Sequence, residues 1–588
     1  MTASKSTLSF ASVAAAFEEL ERTSSRKQLT AILANLLEEV DADAIAEVAY
    51  LLQGRVAPLY EPIEFGLGER SMEKAVSDVY RVDPTEVRRR DALAGDLGLV
   101  VAELASAGAP QAATPSAREV FSKLRSLADI SGVGSGERKL GVVRELLKEL
   151  DPISAKHLVR IPLGNSRLGV GDATILAAFN AARLDGTKAN QIILEDAYNR
   201  TSDLGLVGQT LWTRGIEGVR ELQVTVGRPI RPQLAERLPD IPSLLDKLGG
   251  RAHTQLKFDG IRVQLHLDRK QAAGHQVRLF SRSLEDMTGM FPELVDGVLS
   301  QVQAETAILD SEALAFNPAS EEFLPFQETT RRRRKLGIEE AATELPLKAM
   351  VFDVMYRDGQ PLLDRPLLER MDVLSGVVRG KEVLLPETGT VVDDPRRLDE
   401  IFEDALERGL EGLVVKRVDS PYQAGARNFN WVKLKRHSRG ALDDTIDCVL
   451  LGYFVGRGKR VGLGVGALLV GVYDKEADVF KTVTKIGTGL SDEQWREVGT
   501  RAEPFRSEQR PARVQSTITP SVWLEPKIVV EVLADEITSS PNHTAGYALR
   551  FPRVIRFRDE DKRPEDATTL QELIELYQAQ YGRQVGSG

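Results

Sequence analysis

One cysteine, Cys448, stands in 588 residues. A lone thiol excludes an internal disulfide framework and any zinc site built on several cysteines, and it points to the cytoplasm as the expected location. Long apolar runs are also missing. Nowhere do about 18 apolar residues follow one another, so no membrane-spanning segment is expected. The one short run that imitates a secretory signal, Phe10-Ala11-Ser12-Val13-Ala14-Ala15-Ala16-Phe17, has only Lys5 before it and continues into Glu18-Glu19-Leu20-Glu21. That is the pattern of an amphipathic helix. Excess positive charge is lacking as well: the net charge of −10 by itself argues against a nucleic-acid partner. The bases are segregated, however. They gather in Arg331-Arg332-Arg333-Arg334-Lys335, in Arg457-Gly458-Lys459-Arg460, and in the stretches 427–439 and 550–563. A charge run is ordinarily a solvated face, but four such clusters on an acidic chain point to a phosphate-rich partner.

What is present is globular in character. Apolar residues make up 42% and charged residues 28%, the balance of a soluble folded protein. The length exceeds what one core can serve and implies three or four domains. Residues 1–220 read as helices, with three- and four-residue apolar spacing clearest over 26–39, 138–150 and 173–183. A small-residue loop at 106–115 interrupts them. Two glycine turns, Ser131-Gly132-Val133-Gly134-Ser135-Gly136 and Gly169-Val170-Gly171-Asp172, each precede a predicted helix. The first lacks the G-K-[ST] ending of a nucleotide-binding loop. The amides of both suit DNA phosphates, or both are plain helix–helix turns. From about Val224 the pattern changes to short alternating runs mixed with helices such as 396–408, an α+β composition. Between Leu442 and Val479 short strands separated by glycine suggest a small barrel.

The chemistry gathers around Lys257-Phe258-Asp259-Gly260-Ile261-Arg262, flanked by alternating residues and so read as strand, bend, strand. An amine beside a guanidinium is placed to attack phosphorus, because neighbouring cations favour its neutral form and arginine holds phosphate oxygens. Further polar groups end later strand-like runs. Arg282 closes Arg278-Leu279-Phe280-Ser281-Arg282, and Asp310 and Glu312 share one face of 307–312. Phe352 is the aromatic of Met350-Val351-Phe352-Asp353-Val354. Glu411 and Lys416 bracket Glu411-Gly412-Leu413-Val414-Val415-Lys416, and Trp431-Val432-Lys433-Leu434-Lys435 sets two lysines on one face. Each by itself is ordinary strand decoration; their order over roughly 180 residues is not what chance produces.

That order resembles the nucleotidyltransferase superfamily of lysine-adenylating ligases and capping enzymes, and most closely the ATP-dependent DNA ligases of archaeal and eukaryotic type. The likeness runs over essentially the whole chain. It includes Tyr50-Leu51-Leu52-Gln53-Gly54-Arg55-Val56, Arg167-Leu168-Gly169-Val170-Gly171-Asp172-Ala173, Leu324-Pro325-Phe326-Gln327-Glu328, Lys485-Ile486-Gly487-Thr488-Gly489 and Leu549-Arg550-Phe551-Pro552-Arg553. The resemblance implies a multidomain fold: an all-α DNA-binding domain at 1–220, an α+β adenylation (nucleotidyltransferase) domain at 221–438 and a β-barrel OB-fold domain at 439–588.

By the same resemblance, Lys257 attacks the α-phosphate of ATP to form lysyl-AMP, which then activates the 5′-phosphate of a nick for attack by the 3′-hydroxyl. Arg262 holds ribose and phosphate, Arg282 the nick phosphate, and Phe352 stacks on adenine. Arg427, Lys433 and Lys435 clamp the α-phosphate. Glu312 holds ribose or metal, and Glu411 a divalent cation, most simply Mg²⁺. Arg553, Arg556, Arg558 and Lys562 form the C-terminal basic motif that orients pyrophosphate. The expected partner is nicked duplex DNA, engaged by a monomer that is not membrane-bound, with a sliding clamp as a further candidate. Two departures stand out. Gln255 takes the place of the family's glutamate at the adenine amino group, a weaker neutral acceptor. Arg558-Asp559-Glu560-Asp561-Lys562 is looser than the family's terminal motif. A capping guanylyltransferase or RNA ligase shares the lysine and the acids, and a non-catalytic DNA-wrapping protein could share the fold; the long helical half and Arg550-Phe551-Pro552-Arg553 favour DNA ligase. An NAD-dependent ligase is disfavoured by the missing four-cysteine module.

Overall fold

Three- and four-residue apolar spacing between Phe10 and Arg220 produces twelve helices among the described residues. The computed structural model describes residues 8–23, 25–108, 114–237, 241–318, 322–324, 326–334, 336–408, 410–435, 445–456, 464–487, 490, 492–558 and 562–582. The signal-like segment is indeed a helix, Phe10–Glu21, capped by Ser9, with Phe10, Val13, Ala14, Phe17 and Leu20 buried. Helix Ala117–Asp129 starts with a reciprocal capping box between Ser116 and Glu119. Both predicted glycine turns lead into helices, Ser135–Glu149 and Asp172–Arg183. Facing apolar stripes merge into one continuous core for the helical region. None of the described helices is long and apolar enough to cross a membrane.

Past the helices the chain forms β1 (Leu234–Arg237), β2 (Ala252–Lys257), β3 (Ile261–Asp268), β4 (Val277–Ser281), β5 (Thr306–Asn317), β6 (Glu322–Phe323), β7 (Leu347–Arg357), β8 (Gln360–Pro361), β9 (Leu384–Pro386), β10 (Thr390–Val392), β11 (Gly412–Arg417) and β12 (Arg427–Lys435). They build two sheets. One has the order β1-β12-β11-β2-β10; the other runs β4-β3-β5-β7-β8, with β6 on β5 and β9 on β7. Strand alternation separates two environments in the first sheet. Leu413, Val415, Val432 and Leu434 turn outward onto Leu398 and Phe402 of helix Pro395–Glu407. On the opposite face Trp431, with Val414, packs against Ile308 and Met355 of the second sheet. The two sheets therefore share a core, and that shared face carries the polar constellation.

The chain divides into two compact units, Met1–Leu434 and Lys435–Gly588. In the second, β13 (Ile446–Val455), β14 (Val465–Asp474) and β15 (Val479–Ile486) follow one another antiparallel. Strands β13 and β14 have ten residues each, longer than the glycine spacing of the sequence predicts. Val522–Leu524 and Val529–Leu533 both pair with β13, one at each end. Among the described residues the sheet is an open half-barrel whose pairing ends at Arg506–Ser507 on one side and Val514–Gln515 on the other. Both faces are buried, one under Trp495 and Leu573 of two helices and the other around Phe480, Val514 and Ala567. The cluster at 457–460 lies outside the described residues.

A buried charge triad stiffens the shared core of the first unit. Asp353 and Arg370 are both 0% exposed and meet at 2.8 Å, and Lys416 Nζ lies 4.0 Å from Asp353. Removing the carboxylate leaves two buried cations uncompensated. Asp353→Ala is expected to lower the free energy of unfolding by about 3–5 kcal/mol, read by urea denaturation; a loss below about 1 kcal/mol would show that the triad is not a unit.

Candidate active site

Lys257 ends β2 in one sheet and Ile261 begins β3 in the other. The predicted strand, bend, strand is therefore a crossing between sheets, since β2 and β3 do not pair. The crossing is tight. A Cβ on Gly260 would stand 2.4 Å from Ala313 O, so only glycine lets the bend approach β5. The Gly260 amide donates to Glu312 Oε1 at 3.2 Å. Opposite Lys257 is Gly412, with φ +138 and a Cβ position 2.1 Å from Leu434 O. Glu411 N donates to Lys257 O at 3.1 Å, and the Lys257 ammonium donates to Glu411 Oε2. The amine thus leaves the end of a strand with one carboxylate in contact and a second across the bend.

Burial pulls the Lys257 amine below the ordinary lysine range; Glu312 and Asp259 oppose this, while Arg262 and Arg282 reinforce it. Burial likewise pushes the Glu312 carboxyl up to about 7, against the attraction of Lys257 and Arg262. Arg262 is held in place by protein groups. Its Nε and Nη2 donate to Asp310 at 3.1 and 2.6 Å, Nη1 donates to Gln233 O at 2.7 Å, and Tyr422 OH donates to the same carboxylate at 2.8 Å. Burial alone would lower its pKa, but Asp310 outweighs that and raises it. Most of the Arg262 fork is therefore engaged by protein acceptors, more than the sequence expectation of a phosphate-holding arginine allows. Arg282 and Arg427 differ: their side chains have no hydrogen bond or ion pair among the described residues. Burial, Arg262 and Arg427 together lower the pKa of Arg282, against the attraction of Glu312.

On β2, two residues before Lys257, Gln255 is 2% exposed. Its Nε2 donates to Phe352 O at 3.0 Å and to Glu387 O, leaving Oε1 buried with no hydrogen-bond partner. The Phe352 ring lies edge-on to Trp431 at 6.2 Å, with Arg262 5.5 Å and Lys416 5.0 Å from its centroid. Lys416, not among the residues expected to act, has Nζ 3.9 Å from the Trp431 centroid, and burial pulls its pKa down to about 8. Asp310, Tyr422 and Gln233 are further residues that sequence reasoning missed. Only Asp310 carried a signal, two residues before Glu312 on the same strand face. Lys433 is half-buried on β12, on the same side as Trp431 by alternation; the Lys435 side chain lies outside the described residues.

The remaining predicted residues belong to the second unit. Arg553 pairs with Asp535 at 2.8 Å, Arg556 with Glu531 at 2.6 Å, and Arg558 Nη1 lies 3.5 Å from Asp447, which also accepts from Lys562. Asp559, Glu560 and Asp561 lie outside the described residues. The arginine run at 331–334 is not a free basic face either. Arg331 pairs with Glu328, Arg333 with Glu285, and Arg332 is 0% exposed, turned inward onto Glu293.

Models of a DNA ligase N terminus, an ATP dependent DNA ligase domain and an ATP dependent DNA ligase C terminal region match residues 9–180, 232–435 and 462–562. A probable DNA ligase of Dictyoglomus turgidum is 43% identical over 578 residues, 97% of this chain and 98% of that protein. A DNA ligase of Sulfolobus acidocaldarius is 38% identical over 600 residues, 98% of this chain and 99% of that one. Among solved structures, Pmar-Lig_PreS3 has a likeness of fold, with a TM-score of 0.54 at 17% identity over 93% of this chain and 99% of that chain. Since relatives above one-third identity match it along almost its full length, the chain belongs to the ATP-dependent DNA ligase family.

Proposed function

We propose that this protein seals nicks in duplex DNA at the expense of ATP, with Lys257 as the covalent carrier of AMP. The observation that carries the reading is a lysine amine with a depressed pKa, in contact with one carboxylate and across a bend from a second, near two arginines whose side chains have no hydrogen bond or ion pair among the described residues. Nζ of Lys257 forms a bond to the α-phosphorus of ATP; the bond to the oxygen bridging the α- and β-phosphorus atoms breaks, and pyrophosphate leaves with that electron pair. Glu411 Oε2, in contact with Nζ, orients the amine and offers its proton an acceptor. The 5′-phosphate of the nick then displaces lysine from phosphorus, and the 3′-hydroxyl finally displaces AMP.

Supporting groups take their roles from position. Arg282 and Arg427 meet the phosphate charge with Lys433 and Lys435, and Arg262 braces the ribose side from its seat on Asp310. Phe352 offers its ring to the base, and Gln255 Oε1 accepts the adenine amino group. A buried acceptor left unsatisfied costs about 1–3 kcal/mol, and adenine supplies the missing donor where guanine presents a carbonyl. Glu312 and Glu411 fit Mg²⁺, which is bound through one or two carboxylates together with substrate phosphates and water. Among the described residues no third acidic, histidine or cysteine side chain joins them. When bound, the ion supplies charge neutralisation at the phosphates.

In this reading residues 1–220 grip DNA, 221–438 carry out adenylation, and 439–588 form an OB-fold whose Arg553, Arg556, Arg558 and Lys562 orient the departing pyrophosphate. Acting on DNA, the protein works in the cytoplasm as a monomer, with a sliding clamp as candidate partner.

Lys257→Ala is expected to abolish covalent labelling by α-³²P-labelled ATP while binding of nicked duplex persists, and labelling at the wild-type level would remove Lys257 as nucleophile. Only the neutral amine attacks, so the rate of AMP attachment should rise with pH as that form grows. Its midpoint should lie below the free lysine value of about 10.4, since burial depresses the pKa; stopped-time labelling across pH 6 to 10 reads it. Gln255→Leu should cut the kcat/KM preference for ATP over GTP by about tenfold, about 1.4 kcal/mol. An unchanged preference would show that another group reads the base.

A further inference from the structure

Asp172 begins helix Asp172–Arg183, directly after the turn Gly169-Val170-Gly171, and three separate segments converge on its carboxylate. Oδ1 accepts from Gln53 Nε2 at 3.0 Å; Oδ2 accepts from Tyr198 OH at 2.7 Å and from Arg231 Nη1 at 3.2 Å. Gln53 immediately precedes a half-buried turn of the helical region, Gly54-Arg55. Arg231 stands on the segment leading from the helices into β1. Its guanidinium lies 4.9 Å from the Tyr198 ring centroid, its amide donates to Asn199 O at 2.9 Å, and its carbonyl accepts from Gly425 N at 2.9 Å. Gly425 has φ +69, and a Cβ there would stand 2.4 Å from Asn199 Oδ1, so its backbone lies directly on helix Lys188–Thr201. Two residues beyond Arg231 is the Gln233 carbonyl that holds Arg262, and two beyond Gly425 is Arg427.

We propose that Asp172 is a positioning residue for the DNA-dependent steps: through Arg231 it sets the turns at Gly54-Arg55 and Gly169-Val170-Gly171 in register with Arg427 and Arg262. The inference rests on the ligase reading above and deepens it. Asp172 contacts neither nucleotide nor reacting atoms. Its work is done through Arg231, whose cation is held from one side by this carboxylate and from the other by the Tyr198 ring and hydroxyl. An asparagine keeps the shape and one acceptor oxygen but loses the charge, so the hydrogen bond from Arg231 weakens and the helical region is free to shift against the strand carrying Arg427. The nucleotide step needs no DNA and does not use that register. The nick-dependent steps do, since a duplex gripped by the helices must bring its 5′-phosphate to Arg282 and Arg427.

The test uses the full-length chain and separates the steps. Asp172→Asn should load AMP onto Lys257 without DNA at a rate within about twofold of wild type, while the pre-loaded variant should show a KM for nicked duplex raised by about fivefold or more. Asp172→Glu, which keeps the charge, should recover most of that loss. An unchanged KM and sealing rate in Asp172→Asn would overturn the proposal. So would a parallel fall of loading, sealing and unfolding temperature, which is the signature of a merely structural contact. Wild-type protein that takes up AMP but never seals a nick would overturn the parent reading and this one with it.

Discussion

Arg262 and Asp310 meet through two hydrogen bonds in the space between two sheets, and much of the catalytic half is referred to that pair. The arginine is on β3 and the aspartate on β5, both in the seven-stranded sheet. The other donors of the guanidinium reach Gln233 O, just before β1, and Tyr422 OH, just before β12, both flanking strands of the five-stranded sheet. One buried cation therefore fixes two sheets that no backbone hydrogen bond joins across the Lys257 crossing. Asp310 is fully buried, so the pair is far less screened than an exposed one.

The same burial that makes the pair strong decides the charges around it. His253 and His266 are enclosed, and burial brings their pKa values down to about 4 and about 3, so both are neutral at ordinary pH. His266 then accepts from the Gly227 amide through Nδ1 at 3.0 Å, a contact an imidazolium could not make. Lys416 keeps company with two aromatic rings and the Asp353 carboxylate. Around Lys257 the balance runs the same way, since burial depresses its amine too. Burial thus leaves neutral or weakened basic groups beside guanidinium groups that have no hydrogen bond or ion pair among the described residues.

The helical region is docked onto this core at several points besides Asp172. Arg278 donates to Tyr60 O at 3.0 Å and to Asp286 at 2.8 Å, and Arg200 reaches Asp364 at 3.2 Å. Arg278 is on β4, the strand that ends just before Arg282, so a contact with the helices also bears on the strand that presents a free cation. Glycine has a different use on each side of this contact. Gly260 and Gly412 let backbone approach backbone around Lys257, while Gly425 lets a turn lie against a helix.

Much of this was legible in the chain of residues. Helical periodicity, the switch to alternation after Val224, the helices that follow both glycine turns and the Lys257 motif all follow from local spacing, because secondary structure and short motifs are local properties. Glu312, Glu411 and Phe352 were identifiable for the same reason, each standing in a strand-like run. The partners were not. That Arg262 would be engaged by Asp310, Gln233 and Tyr422, that Arg332 would turn inward to Glu293, and that Lys416 would lie beneath two rings depends on contacts between residues 15 to 160 positions apart. Which end of the Gln255 amide lacks a partner also waited on tertiary structure, since the carbonyls of Phe352 and Glu387 take its Nε2 and leave Oε1 unpaired. Sequence determined which residues could do chemistry, because reactivity belongs to side-chain type and local spacing. Tertiary structure alone decided which of them are free to do it, because a charge is available to a substrate only where folding has not already brought it a partner.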